Sequence, residues 1–412
     1  MFKELYILNK VLDIGRKLIP RSIFKFTQPY YHGFLSILGG IFYGFPSKNL
    51  KIIAVTGTKG KSTVVYMTTR IFEKAGIPVA SIGSLGFKIK DKTWPNSLKM
   101  TMPGRMKLQK FLYNAKKSGA KYVILEATSE GLAQNRLAGI NVNCAVFTGI
   151  HKEHIESHGS FENYLQAKQK LFFKTNAIHI INIDDKQSKD FIEIKSDQKI
   201  TFGMQEGDVN QKDTELKLKL VGNFNIYNGL AALAISKAYG INPKEAKNEL
   251  EKIEKVPGRM EFIKKGQPFD VVVDYAHTPD SLEKVYQTLK KDNSKLVCVL
   301  GAAGGGRDKW KRSSFGRIAE KYCDEIVLTN EDPYDENPEE ILQEIVSGFS
   351  NLNNGYNLII NRQDAIKKAL SLAKKDDTVI ITGKGSETSM AVSNNKKIQW
   401  SDKAVVEEFL KY

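Results

Sequence analysis

The stretch Thr56-Gly57-Thr58-Lys59-Gly60-Lys61-Ser62-Thr63 constrains this chain more than any other. It follows the apolar run Ile52-Ile53-Ala54-Val55, which predicts a buried strand, and precedes Val64–Phe72, which predicts a helix. Strand, glycine loop, Gly-Lys-Ser and helix in that order make a phosphate cradle. Glycine lets backbone N–H groups close on phosphate oxygens, and the helix N-terminus adds partial positive charge. In such a cradle Lys61 reaches the outer phosphates and Ser62 takes a place on Mg²⁺. The common longer pattern wants glycine where this chain has Val55, so the loop is the shorter G-x-x-G-K-S-T. A chance Gly-Lys-Ser is the bland alternative, and the flanking strand and helix argue against it.

From Leu50 to about Val256 strand-like runs alternate with helical ones: Ile52–Val55, Tyr122–Leu125, Cys144–Thr148 and Ile178–Ile183, with Met106–Ser118 among the helices. Such alternation predicts an α/β domain with a mainly parallel sheet covered by helices on both faces. Its binding residues belong at the carboxyl ends of the strands, where the phosphate loop, Glu126 and Thr148-Gly149-Ile150 all fall. A second, Rossmann-like α/β unit starts near Gly258, with strands Val271–Val273, Leu296–Leu300, Glu325–Leu328 and Thr378–Ile381. Several of these run into polar or glycine-rich segments, among them Gly301–Asp308 and Thr382-Gly383-Lys384-Gly385. A chain of 412 residues accommodates this division: an N-terminal segment 1–48, a central domain 49–256 and a C-terminal domain 257–412.

Residues 1–48 differ from the rest. Lys3, Lys10, Arg16, Lys17, Arg21 and Lys25 alternate with apolar residues, and Phe26–Ser47 holds no Asp, Glu, Lys or Arg. Pro29, Gly33, Gly39 and Gly40 argue against a spanning helix, which needs about 20 mostly apolar residues. Two readings stay open: a basic, aromatic-rich helix on a membrane interface, or a hydrophobic helix packed on the next domain. The net charge of +16 permits nucleic acid, anionic lipid or phosphorylated partners. Lysine is spread along the whole chain without an arginine-rich, aromatic-interleaved tract, so no nucleic-acid groove is expected. Cys144, Cys298 and Cys323 lack metal-ligand spacing and sit in apolar runs, so three buried free thiols are expected, in keeping with a reducing cytoplasm.

Glu126 ends a strand beside the phosphate loop, where a phosphate-handling enzyme places a Mg²⁺ ligand. His151, His154 and His158 fall close together, with Glu153 and Glu156 between them. That spacing lacks the cysteine partners or the H-E-x-x-H pattern of zinc sites. A second Mg²⁺ site using one histidine and carboxylates fits better, with solvated loop histidines as the plain alternative. Lys168, read by itself, is a solvated helix lysine.

Taken together, the ordered motifs resemble the Mur ligases, and within them the MurE type, which adds the third amino acid of the peptidoglycan stem peptide. The resemblance covers nearly everything after residue 50. It rests on Gly57–Thr63, Glu126–Leu132, Val146-Phe147-Thr148 running into His154–Gly159, Tyr164 with Ala167-Lys168, and Asn182 with Asp184-Asp185. It continues through Gly222–Asn225 with Asn228, Pro257–Glu261, Asp274–Leu282, Lys311-Arg312 and Gly383-Lys384-Gly385. It implies ATP-dependent phosphorylation of a substrate carboxylate, attack by an amino group on the acyl phosphate, and release of amide and phosphate. The implied catalytic residues are Lys61, Glu126, His154 and Lys168. The implied metal ligands, for two Mg²⁺ ions, are Ser62, Glu126, His154 and Lys168, the last matching the lysine that the family carbamylates. ATP would be held by Gly57, Thr58, Lys59, Gly60, Lys61, Ser62 and Thr63, with Asn225 and Asn228 on the adenine side and Asp274 on the ribose. Lys311 and Arg312 would approach the phosphates when the C-terminal domain closes. Substrate contacts would come from Thr101, Thr128, Ser129, Arg136, Arg259, His277, Glu331, Asp332, Tyr334 and Glu387. The partners implied are a peptidyl precursor and an amino acid.

The chain also departs from the family. About 50 residues precede the phosphate loop, where MurE enzymes carry a whole domain that binds UDP. Gly149 stands for the usual Asn, Glu130 for a His or Gln, and the stretch between Gly203 and Gly222 is short. In the segment that selects the amino acid, Asp-Asn-Pro-Arg becomes Glu331-Asp332-Pro333-Tyr334, which removes the arginine that clamps a distal carboxylate. Lys384-Gly385-Ser386-Glu387 keeps the family's glutamate and loses its histidine. The expected function is extension of a UDP-MurNAc-L-Ala-D-Glu type peptide. The alternatives are a relative acting on a lipid-linked or folylpolyglutamate-type substrate, or a non-catalytic nucleotide-binding scaffold. A cytoplasmic protein is expected, with peripheral membrane contact through residues 1–48 as the open question.

Overall fold

The computed structural model describes residues 21–412, apart from 97, 99, 105, 154, 352–354, 395 and 412. The chain divides into two compact units. The first takes in the chain to His151, Glu162–Leu216 and Tyr227–Glu249, and the second Lys152–Phe161, Lys217–Ile226 and Leu250 onward. Three short segments of the stretch expected to be one central domain, Lys152–Phe161, Lys217–Ile226 and residues 250–256, therefore belong to the second unit.

The first unit is built on a nine-stranded sheet: β1 (Lys51–Thr56), β2 (Val79–Gly83), β3 (Gly86–Ile89), β4 (Lys92–Trp94), β5 (Tyr122–Glu126), β6 (Cys144–Phe147), β7 (Ile178–Asn182), β8 (Gln198–Gly203) and β9 (Val209–Asn210). Their order is β4-β3-β2-β5-β1-β6-β7-β8-β9. All pairings are parallel except β2–β3 and β3–β4. Ile52, Ile53, Ala54 and Val55 are all fully buried, as a strand covered on both faces requires. Helix α1 (Arg21–Phe42) precedes the sheet, and α2 (Lys61–Lys74) follows β1 and packs on β1, β2 and β5. Helices α3 (Lys107–Lys117), α4 (Phe161–Lys174) and α5 (Asn223–Ala238) follow in order. No described helix is long and apolar enough to cross a membrane.

Strand β1 lies between β5 and β6: the chain leaves β1 toward β2 on one side, and from β5 it crosses to β6 on the other and continues outward to β7. Such a reversal of strand order opens a crevice at the carboxyl ends of the strands. Register sets those ends level, with Val55 opposite Glu126 and Thr56 opposite Phe147. The phosphate loop, Glu126 and Thr148 thus share one edge of the sheet.

The second unit has a six-stranded sheet of β10 (Glu261–Phe262), β11 (Asp270–Val273), β12 (Leu296–Leu300), β13 (Glu325–Leu328), β14 (Tyr356–Leu358) and β15 (Thr378–Ile381). The order is β10-β11-β15-β12-β13-β14, with only β10 antiparallel. A separate ribbon pairs β16 (Ser389–Val392) with β17 (Lys396–Gln399). Alternate residues of the sheet feed two cores. Val272, Cys298, Leu328 and Ile380 pack against Pro279–Leu289, Trp310–Tyr322 and Pro338–Val346, while Val273, Val299, Val327 and Ile381 pack against Arg362–Leu372 and Asp402–Phe409. Asp274, Gly301, Thr329 and Thr382 follow the carboxyl ends of four adjacent parallel strands.

One expectation is overturned here. Cys298 and Cys323 form a disulfide, and Cys144 alone is a buried free thiol. Cys323 follows the helix Trp310–Tyr322 and returns beside β12, so residues far apart in sequence come within bonding reach. The reading of three free thiols assumed that separation in the chain meant separation in space.

Candidate active site

In the first unit the loop after β1 closes on β6. Thr58 N donates to Gly149 O at 2.8 Å and Thr148 Oγ1 donates to Lys59 O at 2.6 Å. Two glycines permit this approach. Gly57 has φ +154°, and a Cβ there would lie 2.0 Å from Thr148 Oγ1. Gly60 caps α2 at φ +83°, and a Cβ there would lie 2.3 Å from Asn228 Oδ1. The left-handed backbone and the crowding both exclude a side chain. Asn228, expected near the nucleotide, thus lies against the loop itself. Lys61 Nζ donates to Gly57 O and Thr58 O at 2.9 and 2.8 Å, and the buried Lys168 Nζ donates to the same Gly57 O at 2.8 Å. Lys168 is no solvated helix lysine: it is 1% exposed and lies over the Tyr164 ring, 4.5 Å from its centre. Tyr164 in turn bonds Thr58 Oγ1 at 2.9 Å.

Glu126 is buried and reaches across the end of β2. Ser84 donates to Glu126 Oε1 twice, from its amide at 2.7 Å and from its hydroxyl at 2.9 Å, while Ser62 Oγ lies 2.7 Å from Ser84 Oγ. Ser62, Ser84 and Glu126 are therefore one connected run of oxygens at the mouth of the phosphate loop. Hydroxyl and carboxylate oxygens are the donors that Mg²⁺ takes, usually keeping several waters. The set fits that ion and does not suit a soft, thiolate-preferring metal. Sequence reasoning missed Ser84. Its signal was the Gly83-Ser84 pair at the end of a strand, visible only once β2 is placed beside β5.

Of the other residues expected around the substrate, Thr128, Ser129 and Arg136 follow β5 in the chain. Thr128 caps the helix Ser129–Ala133, accepting from Gly131 N at 3.1 Å, and Ser129 is buried. Arg136 donates to Met102 O and to Gln134 Oε1, which sets it beside the segment that carries Thr101.

His154 lies outside the described residues. Glu153 and Glu156 belong to the second unit, where Glu153 Oε1 is 3.7 Å from His277 Nε2 and Glu156 Oε1 accepts from Lys309 N at 3.1 Å. Among the described residues no three His, Cys, Asp or Glu side chains gather as a metal site.

In the second unit the strand ends assemble a charged cluster. Lys384 is fully buried and pairs with both Asp332 and Glu387. Asp332 Oδ1 also accepts from Ala391 N at 2.6 Å. Glu331 is buried beside them, and its Oε2 has no hydrogen-bond partner. Burial first, then the neighbouring Asp332 charge, pushes the Glu331 carboxyl up to about 7, against the pull of Lys384 and Arg362. Arg362 is itself held by Asp402 through two bonds of 2.8 Å. Glu331 thus stands beside a lysine already shared by two other carboxylates and near an arginine already paired with Asp402, and its Oε2 is left without a hydrogen-bond partner. Tyr334 takes a left-handed backbone with φ +54° and lays its ring against Gly305.

Asp274 is buried and accepts from Met260 N and Ala276 N, each at 2.7 Å; burial raises its pKa, while Arg259 and these amides oppose the rise. The Arg259 guanidinium lies over the Tyr275 ring at 4.2 Å. His277 gives Nδ1 to Tyr275 O at 2.7 Å; desolvation pushes its pKa down against the pull of Glu153, so the ring is neutral at neutral pH. Asn225 binds Val221 O at 2.8 Å. Arg312 departs from expectation. It is 1% exposed and ion-paired to Glu336 and Glu344 at 2.9 and 2.8 Å, with a further bond to Ala303 O. Charge neutralisation inside its own unit gives it a bracing task under the glycine-rich segment, and of the expected pair only Lys311 is left partly exposed.

Comparison with known proteins follows the same division. Residues 55–236 match the Mur ligase middle domain, and residues 258–385 match the Mur ligase glutamate ligase domain. The UDP-N-acetylmuramoyl-L-alanyl-D-glutamate–2,6-diaminopimelate ligase 1 of Clostridium acetobutylicum is 36% identical over 399 residues, spanning 92% of this chain and 81% of that protein. The corresponding ligase of Bacillus velezensis is 36% identical over 415 residues, spanning 94% and 82%. A solved structure of a ligase of the same name aligns with 29% identity and a TM-score of 0.58, covering 88% of this chain and 78% of that one. The Mycobacterium tuberculosis folylpolyglutamate synthase complexed with ADP and AMPPCP shares the fold, with a TM-score of 0.68 at 16% identity over 85% of this chain and 92% of its own.

Proposed function

This chain belongs to the Mur ligase family, and on that footing we propose that it joins an amino acid bearing an amine side chain to a UDP-MurNAc-L-Ala-D-Glu type acceptor. As a family member it is an ATP-dependent acid–amino-acid ligase, so the scaffold reading falls away. The observation that carries the proposal is the Ser62–Ser84–Glu126 oxygen run beside Lys61 at the phosphate loop.

The loop amides and Lys61 would hold the β- and γ-phosphates, and Ser62 with Glu126 would hold Mg²⁺. That ion, when bound, would neutralise charge on the phosphoryl group in transfer. The acceptor's carboxylate oxygen attacks the γ-phosphorus, the bond to ADP breaks, and a mixed anhydride forms. Arg136, Thr128 and Ser129 would orient the acceptor, since a bound and aligned carboxylate replaces a bimolecular encounter. The amine then attacks the acyl carbon, loses a proton, and phosphate departs. Carbamylation of Lys168 would replace the ammonium at the loop with a carbamate whose two oxygens share one negative charge, while one N–H still serves Gly57 O.

The second unit's cluster supports the choice of amino acid. A protonated side-chain amine would supply the partner that the buried Glu331 Oε2 lacks. The relatives are named for 2,6-diaminopimelate, whose second carboxylate asks for a guanidinium; in the Glu331-Asp332-Pro333-Tyr334 run this chain has a tyrosine as the fourth residue. Lysine-type diamines therefore fit better. Phosphate release from ATP, measured with the acceptor and each amino acid in turn, tests the proposal. Release that requires both acceptor and a diamine supports it, and release with the acceptor alone at the same rate refutes the amine step.

A further inference from the structure

Helix α1 is inside-out. Its face toward the first unit is made of His32, Gly33, Ser36, Gly39 and Gly40, all buried. Ser36 Oγ donates to Ala138 O at 2.7 Å, and Gln109 Nε2 donates to Ser36 O at 3.3 Å. A Cβ on Gly39 would sit 3.1 Å from Met106 Cα, so small residues let the helix lie close against the start of α3. Among the described side chains of the helix, Tyr31 and Leu35 are half-buried and the other large apolar ones face outward. Tyr30, Phe34, Ile37, Leu38, Ile41 and Phe42 form one stripe at helical spacing, and Phe34, Ile41 and Phe42 are 64%, 62% and 73% exposed. An ordinary surface helix buries its large apolar residues and shows its polar ones. A contiguous apolar stripe left in water marks a surface that meets something apolar.

The charge around the stripe names the partner's chemistry. No Asp or Glu occurs between Asp13 and Glu73, between Asp91 and Glu126, or between Glu130 and Glu153. Helix α1 and the segments it packs on, Met106–Gln109 and Asn135–Gly139, all fall in these acid-free stretches. Lys48, just past the helix, and Lys116 and Lys117, at the far end of α3, are exposed in the same acid-free stretches, and Arg16, Lys17, Arg21 and Lys25 lie at or just before the helix in sequence. An apolar stripe with aromatic members, flanked by cations and free of anions, is the pattern of a helix lying in the plane of a membrane interface. The helix is too interrupted and too short in apolar length to span the bilayer.

We propose that this face of the first unit docks on an anionic lipid bilayer, with Phe34, Ile37, Leu38, Ile41 and Phe42 entering the headgroup–acyl boundary and the flanking lysines meeting acidic headgroups. The stripe lies outside the nucleotide and amino-acid machinery, so the proposal stands or falls independently of the ligase reading. It also joins the two readings that residues 1–48 left open. The helix packs on the domain with one face and offers its apolar face outward.

Flotation of the purified full chain with phosphatidylglycerol-containing vesicles tests it, against pure phosphatidylcholine vesicles. The protein should float with the anionic vesicles, lose that binding at high salt, and bind at least tenfold less as the triple variant Phe34→Ser, Ile41→Ser, Phe42→Ser. That variant should keep the thermal midpoint and the ligase turnover of the wild type. Because serines could still loosen the helix, a Phe34→Trp variant gives a second readout, with its fluorescence shifting to the blue on adding anionic vesicles. The proposal is overturned if wild type stays in the soluble fraction, if the triple variant floats equally well, or if the tryptophan emission does not move. It is equally overturned if sedimentation shows a dimer that the triple variant dissolves, since the stripe would then join two copies of the chain.

Discussion

Glu331→Gln removes a buried charge that the second unit accommodates at a cost. The Glu331 carboxyl is raised from its ordinary 4.5 to about 7 by burial and by Asp332. That displacement amounts to about 3 kcal/mol against the ionised form. Below about pH 4.5 the group is protonated in folded and unfolded chains alike, and the cost is absent. Between there and about 7 the folded chain keeps a proton that the unfolded chain has released, so stability falls as pH rises. Above about 7 both forms are ionised and the whole cost is present. Glutamine keeps the shape without the charge, so the variant should match wild type near pH 4.5 and exceed it at pH 8 by up to about 3 kcal/mol. For a unit of this size that is a rise in thermal midpoint on the order of 6–12 °C. The same change takes away the partner for the incoming amine, and the KM for the diamine should rise roughly tenfold or more. Calorimetry of the ligand-free protein at the two pH values and amino-acid saturation curves supply the test. A variant equally stable relative to wild type at both pH values, or with unchanged KM, would refute the argument that a costly buried carboxylate is kept for its ligand.

Three further substitutions separate the roles assigned above. Ser84→Ala cuts the link between Ser62 and Glu126, and should raise the Mg²⁺ concentration needed for half-maximal phosphate release roughly 10–100-fold, read from Mg²⁺ titrations, with the thermal midpoint little changed. Tyr334→Arg restores a fork for a distal carboxylate, and should raise kcat/KM for diaminopimelate relative to lysine by about tenfold or more in a competition assay. Arg312→Ala removes a buried guanidinium from between Glu344 and Glu336, which keeps the longer contact to Lys309, and should cost about 1–3 kcal/mol of stability in denaturation, since both glutamates are partly exposed, while the KM for ATP of the folded fraction stays near wild type. Lys311→Ala should show the reverse pattern.

The parallel strands and the phosphate loop were legible because each leaves a local mark: a short run of β-branched residues, a glycine pair, a helix start. Glu126 was legible for the same reason, as a carboxylate ending an apolar strand. Side chains whose role depends on tertiary approach left no such mark. Ser84 matters because β2 lies beside β5, and the Lys384–Asp332 pair joins residues that are 52 apart. The Cys298–Cys323 disulfide and the internal pairing of Arg312 likewise arise from helix return, which neither spacing nor composition reports. Helix α1 shows the limit of hydropathy most clearly. Its apolar residues were visible in the sequence, while the face they take depends on where the small residues find a close neighbour.

The most direct test of the ligase account is the mass of the product formed from UDP-MurNAc-L-Ala-D-Glu, ATP and lysine with the purified chain. The account predicts a species equal to acceptor plus lysine minus water, formed one for one with phosphate and abolished by Lys61→Ala. ATP turnover that leaves the acceptor mass unchanged with every amino acid offered would contradict it.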